Sequence, residues 1–163
     1  MPITRSELEV LYRDLEIPLY NFALRWVFDP ALAEDVVHDA FIRVWNRRDE
    51  VIITTFKGFI YKTVQNLALN EMRRRRVRSA LIGWFEEPMQ DSPDQDLALR
   101  QELKDMQKAL EKLPLELRGV LLLSEFSDMD YRQISTMLGI AEGTVASRKN
   151  RALAQLREQM EEK

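Results

Sequence analysis

The stretch "YRQISTMLGIAEGTVASRKNRALAQL", residues 131–156, has the spacing of a helix-turn-helix. Ile134 and Leu138 lie four residues apart on one face of a first helix, and Gly139 supplies the left-handed backbone position at which helices commonly end. Ile140 is the apolar residue that fills the turn. A second helix is predicted to follow, and its inward-facing residues are Val145, Ala152 and Leu156.

The outer face of this second helix is polar and cationic. It carries Thr144, Ser147, Arg148, Asn150 and Arg151. The N-terminal half of such a helix can enter the major groove of DNA, where hydroxyl, amide and guanidinium groups contact base edges and phosphates. A plain helical hairpin with a solvated charged face has the same pattern, so two interpretations stay open on this motif alone. Residues 144–157 contain no acidic residue, which favours DNA binding.

Helical periodicity extends over the rest of the chain, and no convincing strand is present. The run "RRDEVIITT", residues 47–55, is rich in β-branched residues, but it has no partner strand and is interpreted as a loop. The predicted helices run from Thr4 to a break or kink at Pro18, and then over about 18–28, 31–47, 56–76, 96–112, 115–126, 130–138 and 142–160.

Residues 79–95, "SALIGWFEEPMQDSPDQ", hold two of the six prolines and most of an acidic segment, a composition typical of a linker. The sequence therefore predicts an all-α protein of two small helical domains, 1–78 and 96–163, joined by a flexible acidic linker, with the helix-turn-helix in the C-terminal domain. The linker contains bulky apolar side chains that could pack on the first domain or on a partner. They are Leu81, Ile82, Trp84 and Phe85.

A second cationic cluster lies in "NLALNEMRRRRVR", residues 66–78, although the chain has a formal net charge of −3. Cations favour a helix C-terminus through the helix dipole, but that effect is worth only about 0.3–1 kcal/mol and does not call for so many arginines. An aromatic ring, amides and cations on one stripe suit single-stranded or melted nucleic acid. The stripe, predicted to lie opposite the core, comprises Tyr61, Lys62, Gln65, Asn66, Leu69 and Arg73.

The predicted helix over residues 31–47 has a different polar face. It carries Glu34, Asp35, His38, Asp39, Arg43 and Arg47. An acidic face repels DNA but can bind a basic protein surface. His38, the single histidine, lies among carboxylates, yet a metal site needs further well-placed ligands, and no nucleophile or glycine-rich phosphate loop accompanies it. A protein-binding face without metal is the preferred interpretation.

The composition also limits the cellular setting. The chain has no cysteine, which excludes disulfides and thiolate metal sites. The segment "MPITRSELEV" lacks an apolar core, and no run approaches the roughly 18 apolar residues of a membrane span. We therefore expect a soluble, cytoplasmic protein with no membrane insertion.

Three segments, in this order, resemble the bacterial sigma factors of RNA polymerase, in the short extracytoplasmic-function (ECF) group of the sigma-70 family. "DPALAEDVVHDAFIRVW", residues 29–45, is similar to the helix that docks on the polymerase clamp. "FIYKTVQNLALNEMRRRR", residues 59–76, is similar to the helix that melts and reads the minus-ten element. Residues 113–156 are similar to the domain that reads the minus-thirty-five element. The resemblance covers nearly the whole chain.

The resemblance implies three sets of binding residues. The set for core polymerase is Asp35, His38, Asp39 and Arg43. The set for minus-ten DNA is Tyr61, Lys62, Gln65, Asn66, Arg73, Arg74, Arg75 and Arg76, in which Asn66 matches the asparagine near the flipped base. The set for minus-thirty-five DNA is Tyr131, Arg132, Thr144, Ser147, Arg148, Lys149 and Arg151.

The resemblance further implies an alternative sigma factor that directs promoter-specific transcription initiation and is not an enzyme. Its expected partners are core RNA polymerase, promoter DNA and an anti-sigma factor, with no cofactor, metal or small-molecule substrate. The alternative is a conventional helix-turn-helix regulator with an N-terminal regulatory domain. That alternative explains residues 96–163 equally well, but it leaves the arginine cluster and the polar stripe without a purpose. An enzyme built around His38 lacks partners for that residue.

Overall fold

The structure, a computed structural model, describes residues 2–52, 55–82 and 97–161. Within these ranges the chain forms helices and no strand, which confirms the all-α prediction. The chain divides into two compact units, Met1–Glu86 (the N-terminal unit) and Glu87–Lys163 (the C-terminal unit). The helices are α1 (Arg5–Val27), α2 (Pro30–Asn46), α3 (Phe56–Ile82), α4 (Leu97–Glu111), α5 (Leu115–Phe126), α6 (Tyr131–Leu138) and α7 (Glu142–Glu161).

Helix α1 begins at the predicted capping box. The Thr4 hydroxyl accepts a hydrogen bond from the Glu7 N–H, and the Glu7 carboxylate accepts one from the Thr4 N–H. The sequence predicted a break or kink at Pro18; the break is wrong, because α1 continues through Pro18 to Val27. An internal proline removes one helical hydrogen bond and costs about 3 kcal/mol. Burial of the following turns offsets this cost; their buried residues are Leu19, Phe22, Ala23, Trp26 and Val27.

A tight corner, Phe28 and Asp29, joins α1 to α2. Phe28 ends α1 in the left-handed region, with φ 50° and ψ 35°, and its side chain is buried. Asp29 then caps α2, because its Oδ1 accepts a hydrogen bond from the Leu32 N–H at 3.1 Å. Pro30 occupies the first turn of α2, where a missing N–H leaves no helical bond unmade. The corner therefore combines a strained residue with a strong helix start.

The core of the N-terminal unit lies where its three helices meet. The Phe22 ring lies edge-on to the rings of Trp26 and Tyr61, with centroids 6.5 and 5.1 Å away. Helix α2 buries Ala33, Val36, Val37, Ala40, Phe41 and Val44, and α3 buries Phe56, Ile60, Tyr61, Val64 and Ala68. Each helix therefore packs one face in the core, and Tyr61 of α3 lies on that face.

Helix α3 is longer than predicted. It continues to Ile82 instead of ending near residue 76, so residues 79–82 are helical and the predicted linker does not begin at residue 79. No glycine or proline interrupts the chain between Gly58 and Gly83, and the stretch is rich in strong helix formers, which explains the extension. Leu81 is 81% exposed and does not pack on the N-terminal unit. The rest of the predicted linker, with Trp84 and Phe85, lies outside the described residues.

Helix α5 of the C-terminal unit packs against α6 and α7, and α7 also contacts α4. It buries Leu117, Val120, Leu121, Leu122 and Leu123. Arg118 is also buried, with 2% of its surface exposed. Burial lowers the pKa of Arg118 to about 10, while the charge of Glu111 acts to raise it. In the part of the chain that is described, no helix is long and apolar enough to span a membrane.

Candidate nucleic-acid interface

The turn between α6 and α7 has the predicted helix-turn-helix geometry. Asp130 caps α6 and shares a capping box with Gln133, with hydrogen bonds of 2.8 and 2.9 Å. Gly139 ends α6 with φ 69° and ψ 35°, and its N–H donates to the Ser135 carbonyl at 2.9 Å. The Ser135 hydroxyl donates in turn to the Ile140 carbonyl oxygen. These local bonds fix the direction in which α7 leaves the turn.

Helix α7 has one buried face and one open face. Val145 and Ala152 have no exposed surface, so the rotation of α7 about its axis is fixed by packing. The same rotation leaves Ser147, Asn150 and Arg151 exposed and Thr144 half-buried. Side chains that can bind bases and phosphates therefore share the outer face, as the sequence predicted.

Two cations of α7 have acidic partners on α5. The Arg148 Nη2 atom lies 3.7 Å from the Glu116 Oε2 atom, and the Lys149 Nζ atom lies 3.5 Å from the Glu125 Oε1 atom. Lys149 Nζ also lies 5.7 Å from the centroid of the Tyr131 ring. Both cations are largely covered, with 25% and 22% of their side chains exposed. Of the other predicted residues, Arg132 and Arg151 are exposed.

The predicted polar stripe of α3 is divided by the structure. Lys62 and Asn66 are exposed, whereas Gln65 is half-buried and its Oε1 atom is enclosed without a hydrogen-bond partner. Tyr61 has no exposed surface, so the prediction that it lies opposite the core is wrong. Its position three residues before Val64 puts it on the buried side of the helix, about 100° away from Lys62. Tyr61 is not available to stack on a base.

The arginine cluster is also not uniform. Arg73 and Arg76 are exposed. Arg74 pairs with Glu71 of the same helix, with 2.9 Å between its Nη1 atom and the Glu71 Oε1 atom. Arg75 is half-buried and reaches back to the α1–α2 corner, where its Nη2 atom lies 2.5 Å from the Asp29 Oδ2 atom. Sequence reasoning grouped Arg75 with its neighbours and missed Asp29.

The contacts of Asp29 change its acidity. Burial acts to raise the pKa of the carboxyl group, but hydrogen bonds from the Leu32 N–H and from Arg75, together with the Arg75 charge, outweigh burial and lower the pKa. The ionised form is therefore the one that fits the corner.

The acidic face of α2 is open, as predicted. Its exposed residues include Glu34, Asp35, His38, Asp39 and Arg43. Among the residues that the structure describes, no three His, Cys, Asp or Glu side chains are grouped so that they could hold a metal ion. The arrangement is that of a charged surface on a helix.

Both halves of the chain match known sequence families. Residues 11–78 match the family described as Sigma-70 region 2, and residues 103–156 match the family described as Sigma-70, region 4. The ECF RNA polymerase sigma factor SigL of Mycobacterium tuberculosis is 34% identical over 161 residues, which span 95% of this chain and 89% of SigL. The ECF RNA polymerase sigma factor SigX of Bacillus subtilis is 25% identical over 166 residues, spanning 94% and 83% of the two chains.

Solved structures show a similar fold. The sigma factor RpoE, in complex with the anti-sigma factor NepR from Bartonella quintana, matches with a TM-score of 0.69 at 26% identity over 94% of this chain and 98% of that chain. CnrH, in complex with the cytosolic domain of CnrY, matches with a TM-score of 0.74 at 19% identity over 97% and 90% of the two chains. The CnrH likeness is one of fold.

Proposed function

Because the chain belongs to the ECF group of the sigma-70 family, and is therefore an alternative sigma factor that directs promoter-specific transcription initiation, we propose how its two units divide that task. The C-terminal unit binds duplex DNA at the minus-thirty-five element through α7. The N-terminal unit binds the melted minus-ten element through α3 and core RNA polymerase through α2. A conventional helix-turn-helix regulator is not favoured, because residues 11–78 match sigma-70 region 2.

The observation that carries this proposal is that each unit exposes one polar, cationic helix face with its own chemistry. On α7, the exposed groups are the Ser147 hydroxyl, the Asn150 amide and the Arg151 guanidinium. This set suits base edges in a major groove. On α3, Lys62, Asn66, Arg73 and Arg76 run along the open side of one long helix, a set that suits unpaired bases and their phosphates. Arg74 and the partly covered Gln65 complete the α3 set.

The docking surface that we propose is the acidic face of α2, with Asp35, His38, Asp39 and Arg43. These side chains are exposed while the opposite face of α2 is packed in the core, so they are free to contact a basic surface of polymerase. The RpoE relative was solved with an anti-sigma factor, and we propose that this chain also has an anti-sigma partner. It acts in the cytoplasm and catalyses no reaction itself.

Promoter opening tests the proposal. Core RNA polymerase together with the full chain is expected to open a promoter selected by run-off transcription from a genomic library, with permanganate-reactive thymines downstream of the bound duplex. Asn66→Ala should lower opening much more than closed binding, because it acts on freed bases. Arg151→Ala should lower closed binding. Tight binding of the free chain to duplex DNA, with no opening by the holoenzyme, would contradict the proposal.

A further inference from the structure

Arg75 differs from the arginines around it in the direction of its side chain. It lies seven residues after Ala68 and eleven after Val64, so it falls on the core-facing stripe of α3. Its side chain is 39% exposed, against 71% for Arg74. It contacts a residue 46 positions away in sequence, whereas Arg74 contacts a neighbour on its own helix. Arg75 therefore ties two elements together.

Asp29, the partner of Arg75, lies in the corner between α1 and α2. Asp29 uses one carboxylate oxygen to cap α2 and the other to accept from Arg75. It follows Phe28, whose left-handed backbone persists only because its surroundings hold it. The corner that starts α2 and the second half of α3 are thus joined through a single carboxylate.

This tie lies beyond the last fully buried residue of α3. Among the described residues of that helix, that residue is Ala68, and Arg75 stands two turns further, about 10 Å along the axis. Leu69 and Met72 are half-buried, and the Arg75–Asp29 contact adds a polar tie from this part of α3 to the α1–α2 corner. The exposed arginines Arg73 and Arg76 lie on either side of the tie, so its geometry sets where they point.

Resting on the proposed function, we propose that Asp29 and Arg75 are a positioning pair: Arg75 does not bind promoter DNA, but through Asp29 it fixes α3 so that Arg73, Arg74 and Arg76 meet the melted minus-ten region. A positioning role and a direct DNA contact by Arg75 predict opposite effects of removing the Asp29 charge. If Asp29 merely competes with DNA for Arg75, removing its charge frees a cation and strengthens binding. If the pair positions the helix, removing that charge weakens promoter opening.

Asp29→Asn separates these cases because asparagine caps a helix about as well as aspartate. The variant keeps the start of α2 and loses only the charge that faces Arg75. Arg75→Gln removes the other partner. The matched control is Glu71→Gln, which removes the partner of Arg74 in the same way, but inside one helix.

The experiment uses the full chain with core RNA polymerase on a promoter that the wild-type holoenzyme opens. We expect Asp29→Asn and Arg75→Gln each to reduce the open complex roughly fivefold, the upper end of what a partly exposed ion pair contributes. The double variant should be no worse than either single one, since both break the same contact. At a temperature where every variant is folded, closed binding should stay close to wild type, and the Glu71→Gln control should not lower opening.

Salt dependence on a pre-melted promoter fragment gives a second readout. A lost phosphate contact lowers the slope of log affinity against log salt by about 0.7 on single strands. We expect that loss for Arg76→Gln and an unchanged slope for Arg75→Gln. A lowered slope for Arg75→Gln, or stronger opening by Asp29→Asn, would overturn the positioning role.

Two further outcomes are decisive. If the single losses multiply in the double variant, or if closed binding falls as much as opening, the pair does not act by positioning α3. If the wild-type chain opens no promoter, the proposed function falls first and the positioning role falls with it. The two failures are therefore distinguishable by the wild-type reaction alone.

Discussion

Tyr61 is enclosed in the N-terminal unit, with no exposed surface and with its ring edge-on to Phe22. We expect Tyr61→Ala to lower the free energy of unfolding by about 3–5 kcal/mol, as for other buried aromatic residues. Lys62→Ala removes the next side chain, which is exposed, and should change stability by no more than about 0.5 kcal/mol. Urea denaturation measures both. Equal stability of the two variants would contradict the packing described for Tyr61.

Asp29 makes part of the stability depend on pH. Although burial acts to raise its pKa, the bonds from the Leu32 N–H and from Arg75 keep that pKa below the ordinary 3.8. A lowered folded pKa means that the stabilisation is complete well above pH 3.8 and is lost as the pH falls through the folded value. Arginine and tyrosine side chains do not change charge between neutral pH and pH 3, so the group of this contact that titrates in acid is Asp29.

The difference in unfolding free energy between wild type and Asp29→Asn should therefore be largest near neutral pH and shrink in acid. Urea denaturation at a series of pH values between neutral and pH 3 gives this difference directly. A difference that stays constant, or that grows as the pH falls, would mean that the carboxylate is not stabilised in its ionised form.

The position of Arg75 could be read from the sequence, but its partner could not. Its spacing from Ala68 and Val64 places it on the core side of α3, and attention to that spacing would have separated it from Arg73 and Arg76. Asp29 is distant in sequence, and a pair of that kind depends on how helices pack. Burial of Tyr61 follows from the same spacing rule.

At the scale of the element, α5 places an acidic side chain beside the proposed DNA-binding face of α7. Glu116 lies 3.7 Å from Arg148, and its side chain is 75% exposed, so the pair is weak but adds an acidic charge beside the proposed DNA surface. We expect Glu116→Gln to raise the affinity of the holoenzyme for duplex minus-thirty-five DNA about two- to fivefold at low salt, with a smaller gain at high salt.

The control is Glu102→Gln, which makes the same charge change at an exposed site on α4. Fluorescence anisotropy with a labelled duplex compares the two variants. If both raise the affinity equally, the effect reflects net charge and not the release of Arg148.

Helix boundaries were predictable where local chemistry sets them. The first helix starts after Thr4, and the helix before the turn ends at Gly139, where the sequence predicted. Pro18 misled the prediction because its penalty is local while the burial that offsets it comes from other helices. The prediction ends α3 near residue 76, although nothing between the arginines and Gly83 breaks a helix.

At the scale of the whole molecule, docking to polymerase should be separable from folding. Charge reversal at Asp35 and Asp39 is expected to weaken binding to core RNA polymerase while leaving the melting temperature nearly unchanged, because exposed charges contribute little to stability. Competition with the wild-type chain for core enzyme measures the loss. The matched control is charge reversal at Glu158, an exposed acid of α7. Normal competition by the Asp35 and Asp39 variant would show that α2 is not the docking surface.

The order of segments identified the family more securely than any one segment did. A helix-turn-helix alone is common to many regulators, but the acidic α2 face, the arginine-rich α3 and the helix-turn-helix follow one another as in the Sigma-70 region 2 and region 4 matches. What the sequence did not reveal was which cations are already paired. The roles of Arg75, Arg148 and Lys149 depend on acids in other helices, and those contacts exist only after packing.

The backbone conformation of Gly139 limits which substitutions the turn tolerates. An added Cβ there would meet nothing within 4 Å, so the constraint is the positive φ and not a lack of space. Besides glycine, asparagine and aspartate tolerate that backbone best. In the genetic code the glycine codons GGU and GGC reach aspartate by one base change but need two to reach asparagine. The replacement that needs one base change therefore adds a negative charge next to the proposed DNA surface. The backbone conformation and DNA binding thus both favour keeping glycine at this position.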